Sequence, residues 1–152
     1  MNKKEIEFLK ESNAIEKEYS DLALEDAIEA WKNTRNIPNL DLGYILITHL
    51  HLMKRLNPRI AGQFRNYNVR IGNCEGLDHK KIVDALISWC KLPFKTEEHI
   101  KILHAEFEKI HPFEDGNGRT GRILMNWQRL KIGLPVLVIR EKEKFDYYKW
   151  FR

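Results

Sequence analysis

The stretch HPFEDGNGRTGR, residues 111–122, interrupts a helical pattern and carries an unusual density of chemically active side chains. Gly116 and Gly118 let the backbone turn tightly and expose its amide groups, because glycine adopts positive φ at little cost. An apolar helical pattern resumes directly after this turn. The exposed amides therefore lie at the start of a helix, where unpaired N–H groups and the helix dipole favour an anion. The stretch predicts a phosphate-binding loop.

The charged side chains of the same stretch suit phosphoryl or nucleotidyl transfer. Arg119 and Arg122 are three residues apart on a predicted helix, so they project from one face and can grip phosphate oxygens. Asp115 offers a hard oxygen ligand to Mg²⁺, which typically takes one or two protein carboxylates and completes its shell with phosphate and water. His111 can accept a proton near neutral pH. Each residue alone fits an ordinary polar cap or solvated helix face, but the ordered combination favours a catalytic loop.

Outside this stretch the chain shows mostly helical periodicity, with apolar residues recurring every three or four positions. Residues 62–76 differ, since their partial alternation between two glycines predicts a short β-hairpin or extended flap. We see no internal repeat and no linker. The sequence predicts one mainly α domain over residues 1–152, a helical bundle with a single β element. The predicted helices cover residues 3–18, 21–35, 42–56, 78–90, 96–110 and 141–152, together with the helix that begins within the 111–122 stretch and carries its apolar stripe over residues 123–130.

Composition and cysteine usage indicate a soluble protein of a reducing compartment. The 152 residues are 43% hydrophobic and 32% charged, and no apolar run is long enough to span a bilayer. No apolar stretch follows the first lysines, so we expect no signal peptide. Cys74 and Cys90 form no CxxC pair and are expected to be reduced. These features predict a cytoplasmic location and no membrane partner.

The charge pattern is uneven along the chain. Residues 1–36 carry six Lys/Arg against nine Asp/Glu, whereas residues 37–152 carry twenty against thirteen. An acidic leading segment on a basic body is consistent with an internal lid over an anion site, although helix faces also differ in charge by chance. No recognition motif accompanies the basic excess, so a nucleic-acid partner is not expected. His49 and His51, two residues apart on a helix, point to different faces and make a poor metal pair.

The 111–122 stretch also resembles the signature of the Fic family, H-x-F-x-[D/E]-G-N-G-R-x-x-R, at all eight specified positions. The helix that leads in, the apolar helix that leads out and the preceding AGQFRNYNVRIG segment are similar to the Fic domain as well. The resemblance covers nearly the whole chain. It implies a Fic-type helical bundle and a protein adenylyltransferase, which transfers AMP from ATP to a Ser, Thr or Tyr hydroxyl of a target protein and releases pyrophosphate.

The resemblance assigns a role to each motif residue. His111 would deprotonate the target hydroxyl, and Phe113 would anchor the loop in the core. Asp115 would hold Mg²⁺ between the α- and β-phosphates of ATP. The flap at residues 62–76 would dock the target protein by strand-like pairing. The phosphates would be bound by an anion hole formed by Gly116, Asn117 and Gly118 and by two clamps, Arg119 and Arg122.

The Fic resemblance gives the N-terminal segment, residues 1–20, a regulatory meaning. Many family members carry an inhibitory helix with the motif [S/T]-x-x-x-E-[G/N], and Ser12 and Glu16 have the matching spacing. Glu16 would pair with Arg122 in the place that the γ-phosphate needs, because an Arg–carboxylate pair competes directly with an Arg–phosphate pair. Lys17 departs from the motif, which has Gly or Asn at that position.

Other functions remain open at the level of sequence. The same fold could use another nucleotide or phosphate donor, or remove AMP with Glu16 helping to position a water molecule. A catalytically quiet nucleotide- or protein-binding module is a further alternative, disfavoured by the intact His111, Asp115 and both arginines. A basic nucleic-acid-binding domain is the least favoured. Homo-oligomer formation is possible, and the sequence names neither the target protein nor the signal that relieves inhibition.

Overall fold

A computed structural model describes residues 1–152 of the protein. Helices make up nearly all of its regular structure. Two strands of two residues each form one antiparallel hairpin, in which Arg70 pairs with Glu75 and Ile71 pairs with Cys74. This confirms the predicted mainly α bundle with a single β element. The elements are α1 (Lys3–Ile15), α2 (Asp21–Thr34), α3 (Leu42–Met53), β1 (Arg70–Ile71), β2 (Cys74–Glu75), α4 (Ile82–Lys91), α5 (Glu97–Ile110), α6 (Asn117–Lys131) and α7 (Lys144–Tyr148), with 3₁₀ turns at His79–Lys81 and Glu141–Glu143.

Most helices begin at a polar residue whose side chain accepts a hydrogen bond from the first turn. Asn2 and Glu5 form a reciprocal capping box at α1. Ser20, Asp41 and Thr96 each accept from the amide three residues ahead, at the starts of α2, α3 and α5. These caps fix the helix starts because they satisfy amides that have no partner inside the helix.

The first helix is shorter than the 3–18 range predicted from periodicity. It ends at Ile15, and the amides of Lys17 and Glu18 bond back to the carbonyls of Ala14 and Asn13. This pair of bonds is a Schellman motif, which requires a left-handed residue just after the C-cap. Lys17 takes that conformation at φ +59°. The position at which the inhibitory motif has Gly or Asn is therefore a left-handed helix cap.

Two other boundaries differ from the sequence prediction. The hairpin covers only 70–71 and 74–75 of the predicted 62–76 flap, and the rest of that segment consists of turns, bends and irregular backbone. The predicted 141–152 helix is interrupted as well. It consists of a 3₁₀ turn and the five-residue α7, and the aromatic side chain of Trp150 packs against Tyr147.

Helix α6 lies at the centre of the bundle, packed against α5, α3, α1 and α2. Its apolar residues contribute to three separate core clusters, through Ile123 and Trp127, through Leu124, and through Met125. A helix buried on all sides holds its N-terminus in a fixed position. The 111–122 stretch enters this helix, so the fold holds the candidate site rigidly.

Both cysteines are free, as predicted. None of the helices combines the length and the apolar character that crossing a bilayer demands.

Candidate functional site

The loop before α6 is anchored by Phe113 and His49. Phe113 is fully buried and stacks on the His49 imidazole, with ring centroids 3.7 Å apart and planes 6° from parallel. The Gly62 amide donates to His49 Nδ1, so Nε2 carries the proton and donates to the Asp115 carbonyl at 2.8 Å. Burial lowers the pKa of His49 to about 4. A neutral histidine thus ties α3 to the loop.

Two further polar side chains fix the backbone of the loop. The Asn117 side chain accepts from the Phe113 amide at 2.9 Å and donates to the Phe113 carbonyl at 2.8 Å. The buried guanidinium of Arg65 donates to the carbonyls of His111 at 2.7 Å and Ile110 at 3.2 Å. It also reaches two carbonyls of the flap region, those of Tyr67 and Leu77. Arg65 therefore joins the flap to the loop.

The N-terminus of α6 forms a cradle for an anion. Gly116, its N-cap, has φ +85° and offers no side chain to the first-turn amides. The first amides of a helix have no partner within it, so they remain available to a ligand. A Cβ built on Gly118 would lie only 2.6 Å from Glu16 Oε1. The Glu16 carboxylate thus lies directly against the first turn of α6.

Arg122 holds the C-terminal end of α1. Its side chain is 2% exposed and donates from Nε to Ser12 Oγ at 2.8 Å and from Nη2 to the Ser12 carbonyl at 3.0 Å. Nη2 also contacts Glu16 Oε1 at 2.8 Å. Burial acts to lower the pKa of Arg122, but Tyr147 and Glu16 outweigh burial and the net shift is upward. The guanidinium is therefore a permanent buried cation.

Tyr147 fixes the orientation of Arg122 from the opposite side. Its hydroxyl accepts from Arg122 Nη1 at 3.2 Å and lies 2.6 Å from His104 Nε2. Burial lowers the pKa of His104 to about 3, so the imidazole is neutral and Nε2 accepts a hydrogen bond from the Tyr147 hydroxyl. Arg122 is consequently bound by α1 on one side and by this Tyr–His pair on the other.

His111 ends α5 in a left-handed conformation, with φ +50°. Its side chain lines the same cavity as Glu16 and Arg122, and its Nδ1 is buried without a hydrogen-bond partner. Burial lowers its pKa, and the nearby Arg65 acts in the same direction. The imidazole is therefore neutral at neutral pH and able to accept a proton, as a general base requires.

Asp115 and Arg119 occupy contrasting positions. The Asp115 side chain is 64% exposed at the mouth of the loop, and its Oδ1 accepts from the Gly116 amide at 2.8 Å. Arg119 is buried, with Nη2 3.6 Å from Asp115 Oδ1 and Nε without a partner. Arg119 does not line the cavity that Arg122 lines. Its function as a phosphate clamp remains a prediction.

The cavity brings together residues that are far apart in the sequence. It is lined by Glu16 at the C-cap of α1, His111 and Gly118 from the 111–122 stretch, and Arg122 from α6. A base, a cradle of amides and a buried cation thus face one space. A carboxylate from the N-terminal segment faces the same space.

Several residues of the site escaped the sequence analysis. His49 carries a usable signal, because it is a polar residue inside an apolar helical stripe, but the sequence does not show which loop it contacts. Arg65 gave no signal, since a charged residue in a turn-rich segment is usually exposed. Tyr147 and Glu108 line the cavity but lie outside every motif.

Comparison with known proteins identifies related sequences. Residues 39–128 match the model of the Fic/DOC family. The chain is 27% identical over 143 residues to "Protein adenylyltransferase Fic" of Nematostella vectensis, covering 85% of this chain and 32% of that protein. It is 31% identical to "Protein adenylyltransferase fic-1" of Caenorhabditis elegans over 68% of this chain and 22% of that protein. The chain spans about a third or less of the length of these curated relatives.

Solved structures share the fold. A Fic domain containing signaling protein from Bacteroides thetaiotaomicron superposes with a TM-score of 0.78 at 20% identity, covering 95% of this chain and 69% of that one. Fic-1 from C. elegans superposes with a TM-score of 0.75 at 21% identity, covering 98% of this chain and 55% of that one. At this level of identity the similarity establishes the architecture.

Proposed function

The chain belongs to the Fic/DOC family, and from that premise we propose that it is a protein adenylyltransferase held inactive by its own N-terminal helix. The single observation that carries the proposal is the cavity in which His111, the first turn of α6 and Arg122 meet. Two relatives are named as protein adenylyltransferases, which supports the same reaction class. The reaction is transfer of AMP from ATP to a hydroxyl of a target protein, with pyrophosphate leaving.

The residues divide the chemistry among them. The backbone amides of Asn117 and Gly118 bind phosphate oxygens at the helix N-terminus, where they stabilise charge that develops during transfer. His111, neutral because it is buried, removes the proton from the target hydroxyl as it attacks the α-phosphate. Arg122 holds the terminal phosphate, and the β-phosphate oxygen keeps the electron pair of the broken bond. Positioning and electrostatics dominate such reactions.

Asp115 would hold the magnesium ion. Its carboxylate is exposed at the mouth of the loop, and no cluster of three or more ligand-type side chains surrounds it. One carboxylate suits an ion whose remaining ligands are phosphate oxygens and water, which is the usual coordination of Mg²⁺. When bound, Mg²⁺ would neutralise charge on the phosphates. Asp115 orients its Oδ1 by accepting from the Gly116 amide.

Inhibition by Glu16 follows from competition for Arg122. The Glu16 carboxylate lies 2.8 Å from Arg122 Nη2 and against Gly118, where the terminal phosphates would need to lie. Ser12 adds two contacts that orient the guanidinium toward α1. Because Glu16 lies on the same chain, this inhibition acts in cis. The segment 62–76 remains the proposed docking site of the target protein.

A second candidate function is removal of AMP from a modified protein. It is favoured by one observation, that the Glu16 carboxylate faces the same cavity as His111 and is 35% exposed. Such a carboxylate can orient a water molecule for attack on a phosphate. Incubating protein labelled by the Glu16→Gly variant with wild type would reveal release of AMP.

The test of the main proposal is self-labelling with α-labelled ATP and Mg²⁺. Glu16→Gly is expected to label strongly, wild type weakly, and Glu16→Gly with His111→Ala about 10²–10⁴-fold more slowly than Glu16→Gly, the range for loss of a general base. Glu18→Gly is a matched control, since this acid lies beyond the helix and is not part of the cavity lining. Equal labelling by wild type and Glu16→Gly would refute inhibition, and silence from all variants with all four nucleotides would favour a binding module.

A further inference from the structure

A second acid faces the cavity and has no place in the mechanism above. Glu108 lies on α5, one turn before His111, and its side chain is only 9% exposed. Its Oε1 is buried without a hydrogen-bond partner. A Cβ on Gly121 would approach this oxygen to 3.1 Å, so the glycine of α6 leaves the space that the carboxyl fills. Glu108 is therefore a buried acid with one unpartnered oxygen between α5 and α6, and the residue also lines the cavity.

The charges around Glu108 leave it without a counterion. Arg122 is the nearest buried cation, but its hydrogen bonds go to Ser12, Glu16 and Tyr147. An unpaired buried carboxylate is costly, so burial favours the protonated form of Glu108. Burial raises the pKa of Glu108 to about 7; Arg122 opposes this and Glu16 adds to it. The charged and titratable groups around Glu108 are Glu16 at the C-cap of α1, His104 and His111 from α5, Arg122 from α6, and Tyr147, Tyr148 and Arg152 from the C-terminal segment.

We propose that Glu108 is a nucleotide-binding residue that works in its protonated form and donates a hydrogen bond to a phosphate oxygen held at Arg122. The inference rests on the proposed nucleotide-binding function. A protonated carboxyl offers one O–H donor, which a buried site can keep neutral for that purpose. The Glu16 carboxylate makes no hydrogen bond with it in the closed state. Compared with the Glu16 carboxylate, a phosphate group carries more oxygen atoms and more negative charge. It therefore offers an acceptor for the Glu108 hydroxyl and favours the protonated form of Glu108 more strongly.

The proposal couples nucleotide binding to a proton. Where Glu108 is ionised in the free protein, a bound phosphate requires it to take up one proton, and affinity falls as pH rises. A glutamine of the same shape is neutral at every pH and still donates. Leucine is neutral and cannot donate. The Gln and Leu variants therefore separate the charge of Glu108 from its hydrogen bond.

The experiment measures binding of α,β-methylene-ATP with Mg²⁺ by titration calorimetry, with Glu16→Gly as the parent so that the lid is open. With Glu16 replaced, its contribution to the raised pKa of Glu108 is absent from the parent. From about pH 6 to about pH 8 the Glu108→Gln variant is therefore expected to gain affinity relative to the parent, by up to about tenfold for each pH unit above the pKa of Glu108. Glu108→Leu should bind about three- to tenfold more weakly than Gln at both values, the worth of one hydrogen bond. Glu106→Gln, an exposed acid of the same helix, should keep the parent's pH dependence.

The outcomes distinguish the inference from the function on which it rests. A Gln-to-parent affinity ratio that does not change with pH overturns the proposal, and so does Leu binding as tightly as Gln. Titration of the parent in two buffers of different ionisation enthalpy gives a reading that requires no variant at position 108. We expect uptake of close to one proton at about pH 8; no uptake overturns the inference. If the parent binds no nucleotide at all, the proposed function fails as well.

Discussion

Replacing Lys17 with glycine is expected to tighten inhibition. Lys17 holds the left-handed position of the Schellman motif that ends α1, immediately after Glu16. A residue with a Cβ pays roughly 1–2 kcal/mol for this conformation, which glycine avoids. Part of the gain is offset because glycine has more freedom to lose when the lid closes, by about 0.5–1 kcal/mol. The net stabilisation of the closed lid is about 1 kcal/mol, and about fivefold in the closed-to-open ratio.

The assay is the initial rate of self-labelling from α-labelled ATP, normalised to protein. Lys17→Gly should label about fivefold more slowly than wild type, with Lys17→Asn intermediate, since Asn tolerates this conformation better than Lys. Lys17→Ala is the matched control, because it removes an exposed side chain and keeps the Cβ. In a Glu16→Gly background the glycine at 17 should have no effect. A Lys17→Gly rate equal to that of Lys17→Ala would refute the reasoning.

Two further predictions concern the support of the site. The pKa values of His49 and His104 are lowered to about 4 and about 3, so the unfolded chain binds more protons below about pH 6.5. Each histidine should therefore lower the unfolding free energy as pH falls from about 6.5 toward 4, by up to about 1.4 kcal/mol per pH unit, whereas the raised pKa of Glu108 acts in the opposite direction below about pH 7 and offsets part of this fall. Urea denaturation should still show a net fall toward pH 4, and a flat profile would contradict these pKa shifts. Arg65→Gln should lower unfolding free energy by at least about 1–3 kcal/mol, the cost of leaving one buried carbonyl without its donor. Exposed Arg59→Gln should cost under about 1 kcal/mol, and similar losses for the two would argue against the role of Arg65.

The helical architecture was predictable because periodicity and caps are local signals. Ser20, Asp41 and Thr96 each cap the helix that follows them, as their side chains favour. The early end of α1 was not predictable from periodicity, since polar residues continue past Ile15. The left-handed turn at Lys17 decides that boundary, and lysine is not a residue that usually marks such a turn.

The motif residues were found because they are adjacent in the sequence, while their supports are not. The spacing of the inhibitory motif pointed to Glu16, and the spacing of the 111–122 signature pointed to Arg122. In the structure, Glu16 Oε1 and Arg122 Nη2 lie 2.8 Å apart. Arg65 reaches the loop from 46 positions away, and Tyr147 reaches Arg122 from 25. Such contacts depend on how helices pack, which no local pattern encodes. Glu108 was missed for the same reason, because its burial is created by α6 and the C-terminal segment.

The most direct test of the central claim compares the binding of two ligands to wild type and Glu16→Gly. If Glu16 occupies the place of the terminal phosphate at Arg122, its removal should tighten α,β-methylene-ATP by about tenfold or more, the worth of one charged hydrogen bond. AMP lacks the terminal phosphates, so its affinity should change less than about twofold. Affinities measured by calorimetry that rise equally for both ligands, or for neither, would contradict the claim that Glu16 and the phosphate compete for Arg122.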